Sequence, residues 1–165
     1  DVLGADAREA GLVIGGLGAL GGSAGVIAGG MAADRRSRSG NHAARLEVVL
    51  ASALLAMALY AATFTCTTLV PFYAIVPVAW FFTSAVLGGA AGLVVNIVGA
   101  HLRGGATAVF LLGTNLIGLA LGPYTAGKLS SLTGDLGTGM LLLLATVPMM
   151  AGLFALALRD LRKQA

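Results

Sequence analysis

Charged residues and cysteine are both scarce in this sequence. Asp, Glu, Lys and Arg make up 10% of its 165 residues, whereas an ordinary soluble domain has about 25%. The one cysteine, Cys66, excludes an internal disulfide, and no group of Cys, His and carboxylate residues has the spacing of a metal site. We therefore expect no metal and no cofactor. With 58% hydrophobic residues, the chain carries more apolar surface than a water-soluble fold of this length can bury.

Long apolar runs without charge account for most of the chain. Lipid solvates apolar side chains, but it forces backbone N–H and C=O groups to pair within helices or closed barrels. About 20 helical residues span the hydrocarbon layer. Five runs reach that length: roughly 11–33, 46–70, 72–100, 105–127 and 137–158. The sequence therefore predicts an all-α, polytopic membrane helix bundle with five transmembrane helices over residues 11–158, surrounded by the lipid bilayer.

The basic residues are distributed unequally between alternate loops of this arrangement. One side holds Arg35, Arg36, Arg38, Arg45, Arg103, Arg159, Arg162 and Lys163, and the other holds Arg8 and Lys128. Because positively charged loops stay in the cytoplasm, the larger group predicts a cytoplasmic C-terminus. Residues 1–10 are then an extracytoplasmic loop remnant and 159–165 a cytoplasmic tail, in a multi-pass protein of the inner or plasma membrane. This orientation accounts for the net charge of +3, so we expect no nucleic-acid partner.

Glycine recurs at helical spacing in the first predicted span. One helix face carries Gly11, Gly15, Gly18, Gly22, Gly25 and Gly29. In lipid, such a face lets two helix backbones approach closely. Similar contacts are predicted in the third span by Gly88, Gly92 and Gly99, and in the fourth by Gly118 and Gly122. These glycines either hold the bundle together or let helices slide against each other during a transport cycle.

The first predicted span ends in a charged motif. Residues 30–38 spell Gly-Met-Ala-Ala-Asp-Arg-Arg-Ser-Arg. This segment resembles the signature Gly-x-x-x-Asp-Arg-x-Gly-Arg-Arg/Lys of major facilitator superfamily transporters. The matching residues are Gly30, Asp34, Arg35 and Arg38. Ser37 and Ser39 depart from the signature. In that family the signature follows the second helix and recurs in a weaker copy after the eighth, and departures of this kind suit the weaker copy. In that family the loop stabilises the state closed to the cytoplasm, so the resemblance implies gating; alternatively, the arginines only orient the chain.

A second resemblance begins after the third predicted span. Arg103 and Gly104 open the segment Arg-Gly-Gly-Ala-Thr-Ala, which is similar to the Arg-Gly-x-Ala-x-Ala loop of the same superfamily. The Asn-x-x-Gly that starts at Asn115 and the Gly-Pro that ends at Pro123 look like its eleventh helix, especially in the spinster-like and organic-anion branches. The order of the two motifs along the chain implies that the five spans correspond to helices eight to twelve of that family. The resemblance thus implies part of a C-terminal six-helix bundle whose partner is a missing N-terminal half, and Asp1 in place of Met also leads us to expect a longer parent chain.

Polar and aromatic residues at membrane depth are candidates for lining a transport cavity, because an uncharged polar group in lipid must face protein, water or substrate. By the resemblance, helices eight, ten and eleven line that cavity. The candidates are Ser23, Trp80, Phe81, Thr83, Ser84, Asn96, Thr114 and Asn115. Asn115 is the leading one, although hydrogen bonding between helices is the commoner use of such an amide. No charged residue lies well inside a span, so an ion-coupling residue is expected in the missing half.

The resemblance implies a secondary active transporter, not an enzyme, that moves a small or amphipathic organic solute by alternating access. The resemblance to the spinster-like branch favours a lysolipid as the substrate, and an organic anion is the alternative substrate. One alternative is an intramembrane serine hydrolase, because residues 21–25 spell Gly-x-Ser-x-Gly, with Ser23 as nucleophile and His101 as base. That motif needs a strand, a tight turn and a helix, whereas this segment is predicted to be helical throughout. The other alternative is a non-catalytic membrane scaffold.

Overall fold

Five α-helices make up almost all of the described chain. A computed structural model describes residues 7–38, 42–66, 68–134, 136–144 and 146–148, together with residues 152 and 156. No strand occurs among these residues. The helices and one 3-10 turn are α1 Ala7–Arg36, α2 His42–Phe64, α3 Leu69–Ile97, the 3-10 turn Ala100–Leu102, α4 Arg103–Thr133 and α5 Leu136–Leu144.

Four segments of the described chain are long and apolar enough to cross a membrane. They are Gly11–Arg36, Ala44–Thr63, Leu69–Asn96 and Ala100–Thr133. Much of their apolar surface is not covered by this chain: Leu20, Val70 and Val109 are 72%, 80% and 72% exposed. Surfaces of this kind need lipid or another protein to cover them. The predicted all-α membrane protein is therefore confirmed at this level.

The fourth helix extends past the predicted end of its span at residue 127. α4 continues through this polar stretch to Thr133, whose hydroxyl donates to the Leu129 carbonyl of the same helix at 2.9 Å. Gly134 ends the helix with a φ of 73°, and its N–H donates to the Ser130 carbonyl. α5 covers the start of the predicted fifth span. Most of 145–158, the tail 159–165 and residues 1–6 lie outside the described residues.

The first and third helices pack side by side and run in the same direction. Gly21 of α1 lies against the Pro77 carbonyl of α3. Two turns further along each helix, Gly29 lies against Ala85. Because the residue numbers rise together, the C-terminal ends of α1 and α3 lie at the same end of the bundle.

The second helix runs antiparallel to the third. Val49 lies against Gly89, whereas the earlier residue Arg45 lies against the later Gly92. The α1–α2 and α3–α4 connections therefore share one end of the bundle, which we call the arginine end. It carries Arg35, Arg36, Arg38, Arg45 and Arg103. Lys128 lies roughly 37 Å along α4 from the arginine end, at 1.5 Å per residue.

Small residues form the interior of the described bundle. The buried hydrophobic residues are Ala33, Ala44, Leu46, Val49, Ala56, Val76, Ala79 and Ala85. Val49, 1% exposed, is the largest side chain among them that is fully buried. This composition matches helix association in lipid, where close backbone contact between small residues replaces a large apolar core.

Candidate functional site

The glycine face of α1 packs against α3. Its contacting members are Gly18, Gly21, Gly22, Gly25 and Gly29. Gly11 and Gly15 were predicted to belong to this face, yet no atom lies within 4 Å of the position that a Cβ would take at either residue. That prediction is wrong at its N-terminal end because α3 begins only at Leu69, and Gly21 already lies level with its third turn.

Backbone atoms, rather than side chains, make the closest α1–α3 contacts. A methyl group at Gly25 would overlap the Phe81 carbonyl oxygen, and one at Gly88 of α3 would overlap the Val26 carbonyl oxygen of α1. Such approach permits weak Cα–H···O contacts between the two helices. Because carbonyl groups inside a helix cannot rotate away, these contacts fix the register of α1 against α3.

An ion pair joins α1 to α2 at the arginine end. Nη2 of Arg45 in α2 donates to Oδ1 of Asp34 in α1 at 2.5 Å. The Arg45 side chain is only 5% exposed, whereas that of Asp34 is 65% exposed. Nε of Arg45 is buried and has no hydrogen-bond partner among the described residues. A buried guanidinium with one carboxylate partner depends strongly on that partner.

The short connection between α1 and α2 brings these two residues together. Asp34 lies in the last turn of α1, and Arg45 lies in the first turn of α2. The Ser37 N–H donates to the Ala33 carbonyl at 3.1 Å, and the Arg38 N–H donates to the Arg35 carbonyl at 3.5 Å, so the chain leaves α1 in a tight turn. The structure thus joins Asp34 of the motif to Arg45, eleven residues later and outside the motif.

The other residues of the motif have different surroundings. Arg35 and Arg38 are exposed at the arginine end. Gly30 approaches α3, since a Cβ there would lie 3.9 Å from the Gly88 carbonyl oxygen. Arg103 and Gly104 open α4 at the same end and are also exposed.

The motifs of the sequence do not mark Arg45 as a site residue. One signal was available: a charged side chain at the edge of an apolar run needs a partner, because an unpaired charge at that depth is unfavourable. Asp34 is the nearest acid before it in the sequence. The spacing alone does not show that the two side chains meet.

Three of the cavity candidates in α3 lie at the contact with α1. The Trp80 ring lies 3.2 Å from the position of a Cβ at Gly18, and Oγ of Ser84 lies 3.2 Å from that at Gly22. The Phe81 carbonyl contacts α1. The structure therefore brings Trp80, Phe81 and Ser84 together as packing residues of one helix–helix contact.

The remaining α3 candidates are exposed. Thr83 donates its hydroxyl to the Ala79 carbonyl of its own helix at 2.9 Å. Asn96 lies near the arginine end. These two residues are not part of the α1–α3 contact.

The α4 candidates lie on a face that no other described helix covers. Nδ2 of Asn115 donates to the Leu111 carbonyl at 2.8 Å, and the Thr114 hydroxyl donates to the Phe110 carbonyl at 3.0 Å. An open groove of ≈ 570 Å³ is lined by Leu112, Asn115, Leu116 and Ala120. Gly118 and Gly122 were predicted to make close contacts, but nothing lies within 4 Å of a Cβ position at either. The described chain supplies no partner for this face.

Comparison with known proteins gives no relative for this chain. No protein-family model, curated protein or solved structure matches it. A function for the site therefore has to be argued from the ion pair, the helix contacts and the motifs of the sequence.

Ser23 and His101, the pair on which the hydrolase hypothesis depends, lie far apart. Ser23 is exposed and lies beside Gly22, which is level with Ser84 of α3. His101 lies beyond the end of α3, on the order of 20 Å further along the helix axis. Within the part of the chain that the structure describes, His, Cys, Asp and Glu form no group of three that can hold a metal ion.

Proposed function

We propose that this chain is part of a secondary active transporter of the major facilitator superfamily, and that its helices rock as one bundle against a second bundle by alternating access. The observation that carries the proposal is the Asp34–Arg45 ion pair. Asp34 belongs to the segment that resembles the superfamily signature, and Arg45 lies seven residues beyond that segment, so the pair joins the end of α1 to the start of α2. A charge pair at this position can hold the arginine end in the arrangement that meets the second bundle in one conformation of the transporter.

The carbonyl contacts between α1 and α3 support movement of the bundle as a rigid unit. The Phe81 carbonyl oxygen lies where a Cβ would be at Gly25, and the Val26 carbonyl oxygen lies where one would be at Gly88, so the two helices interlock at one register. The glycines are thus better explained as a means of holding the two helices together. Rigid-body rocking requires bundles that are rigid internally.

The uncovered face of α4 supports a partner bundle. An N-terminal half would cover the exposed apolar residues and leave Asn115 at a polar position between the halves. An amphipathic organic solute such as a lysolipid suits a groove that is mostly apolar with one amide, and an organic anion is its main rival. On this proposal the protein lies in the inner or plasma membrane with the arginine end in the cytoplasm.

The decisive experiment measures conformation in the full-length parent. Spin labels on the two halves report the distance between their cytoplasmic ends. Asp34→Ala is expected to shift the distance distribution toward the inward-facing state, because it removes the partner of Arg45. Arg36→Ala is the matched control, since it removes a charge from the same loop but leaves the pair intact. Identical distributions for wild type and Asp34→Ala would contradict the proposal.

Cysteine accessibility tests the position of Asn115. In a Cys66→Ser background of the parent, Asn115→Cys is expected to react with a membrane-impermeant thiol reagent, and substrate is expected to slow that reaction. Leu20→Cys, on an exposed apolar surface of α1, serves as the lipid-facing control and is expected to stay unreactive. A scaffold without a cavity would leave Asn115→Cys unreactive from both sides of the membrane.

A further inference from the structure

We infer that Gly92 is a positioning residue, whose missing side chain leaves the space in which Arg45 extends to Asp34. The inference concerns three helices, because Gly92 belongs to α3, Arg45 to α2 and Asp34 to α1. It goes beyond the proposed transport function and does not depend on it.

The space at Gly92 is filled by the end of the Arg45 side chain. A Cβ at Gly92 would overlap Nη1 of Arg45 and would lie 3.3 Å from its Cζ. The neighbouring nitrogen of the same guanidinium, Nη2, donates to Asp34. Because the guanidinium is planar and rigid, displacement of Nη1 moves Nη2 as well. A methyl group at Gly92 therefore separates the ion pair without touching Asp34.

Gly92 differs in this respect from the glycines that face a backbone carbonyl oxygen. At Gly25 the obstructing atom belongs to the backbone of Phe81, which has no means of moving aside. At Gly92 it belongs to the end of a long side chain, which can rotate into another conformation. The Gly92→Ala variant is thus expected to fold, with Arg45 displaced from its buried position.

The test uses the whole chain in detergent and measures chemical modification of each arginine by phenylglyoxal, followed by peptide mass spectrometry. Arg45 is expected to be protected in the wild type, where it is 5% exposed. In Gly92→Ala its modification rate should rise at least several-fold, toward that of exposed Arg36. Arg45 is expected to stay protected in two control variants. Gly118→Ala adds a methyl group at an open position, and Gly89→Ala adds one 2.7 Å from the Val49 side chain in the same α2–α3 contact.

A double-mutant cycle gives an independent measurement of the same coupling. Asp34→Asn and Gly92→Ala are each expected to lower the Tm, and the double variant should lower it no further than the larger single effect. In an Arg45→Lys background, which lacks Nη1, Gly92→Ala should change the Tm much less than it does in the wild type.

Three outcomes overturn the inference. The first is that Arg45 stays protected from phenylglyoxal in Gly92→Ala. The second is strict additivity of Asp34→Asn and Gly92→Ala. The third is that Gly92→Ala lowers the Tm, or the yield of folded protein, by the same amount in the wild type and in the Arg45→Lys background. That result would make Gly92 a general packing residue.

Discussion

The carbonyl oxygen of Phe81 occupies the position that a Cβ would need at Gly25. This contact between two backbones defines how α1 meets α3, and it recurs one turn later, where Gly29 meets Ala85. Helices that approach so closely cannot accept even one added methyl group at these positions without moving apart.

We therefore predict that Gly25→Ala destabilises the chain by about 1 to 3 kcal/mol, the usual effect of overpacking a tight contact. Gly15→Ala is the matched control on the same helix, where no atom lies within 4 Å of the new Cβ. That change should be neutral or stabilising by up to about 1 kcal/mol, because alanine is the better helix former. Thermal unfolding in detergent measures both. Equal effects of the two substitutions would contradict the carbonyl contact.

The two partners of the ion pair are expected to respond unequally to substitution. Asp34→Ala leaves the Arg45 guanidinium buried without a carboxylate, with a predicted loss of about 1 to 3 kcal/mol. Arg45→Met leaves Asp34, which is 65% exposed, free to be solvated by water, so it should destabilise less. The double variant should be more stable than Asp34→Ala alone. Denaturation of all three in one detergent checks this order, and a greater loss for Arg45→Met would refute it.

The helix directions predict how the chain is placed in a membrane. In a Cys66→Ser background, single cysteines at Arg36 and Arg103 should react with an impermeant thiol reagent from the same side of sealed vesicles. A cysteine at Thr65, in the α2–α3 connection at the opposite end, should react from the other side only. If Arg36→Cys and Arg103→Cys are labelled from opposite sides, the parallel packing of α1 and α3 is wrong.

The separation of Ser23 from His101 predicts no serine hydrolase activity. A general base has to lie within about 3 Å of the nucleophile whose proton it takes, and these residues lie on the order of 20 Å apart along the bundle. A fluorophosphonate probe should label the wild type and Ser23→Ala equally weakly. Strong labelling that disappears in Ser23→Ala would replace the transporter proposal with the hydrolase hypothesis.

Sequence spacing predicted the glycine contacts only in part. Gly25 and Gly118 both lie in predicted small-residue faces, yet Gly25 meets a carbonyl oxygen and Gly118 meets nothing. Spacing indicates that a face is small; it does not indicate whether another helix lies opposite. The difference arises because α3 is parallel and adjacent to α1, whereas no described helix lies over this face of α4.

The ion pair shows the same limit for charged residues. The motif marked Asp34 as a site residue, and the basic loops marked Arg45 only as a contributor to orientation. Their pairing depends on how α1 and α2 are placed side by side and on where Gly92 of α3 leaves space for a guanidinium. The spacing of Asp34 and Arg45 in the sequence predicts neither the placement of the two helices nor the space at Gly92.

Apolar runs of sufficient length, separated by a few charged residues, determined on their own that this chain forms membrane-spanning helices. Lipid forces the backbone N–H and C=O groups to pair within helices or closed barrels, and uninterrupted runs of about 20 apolar residues are typical of helices. The partners of individual side chains were decided only by the tertiary structure. Contact between helices depends on their direction, register and separation. Those quantities follow from the packing of α1, α2 and α3 together, which no single segment specifies.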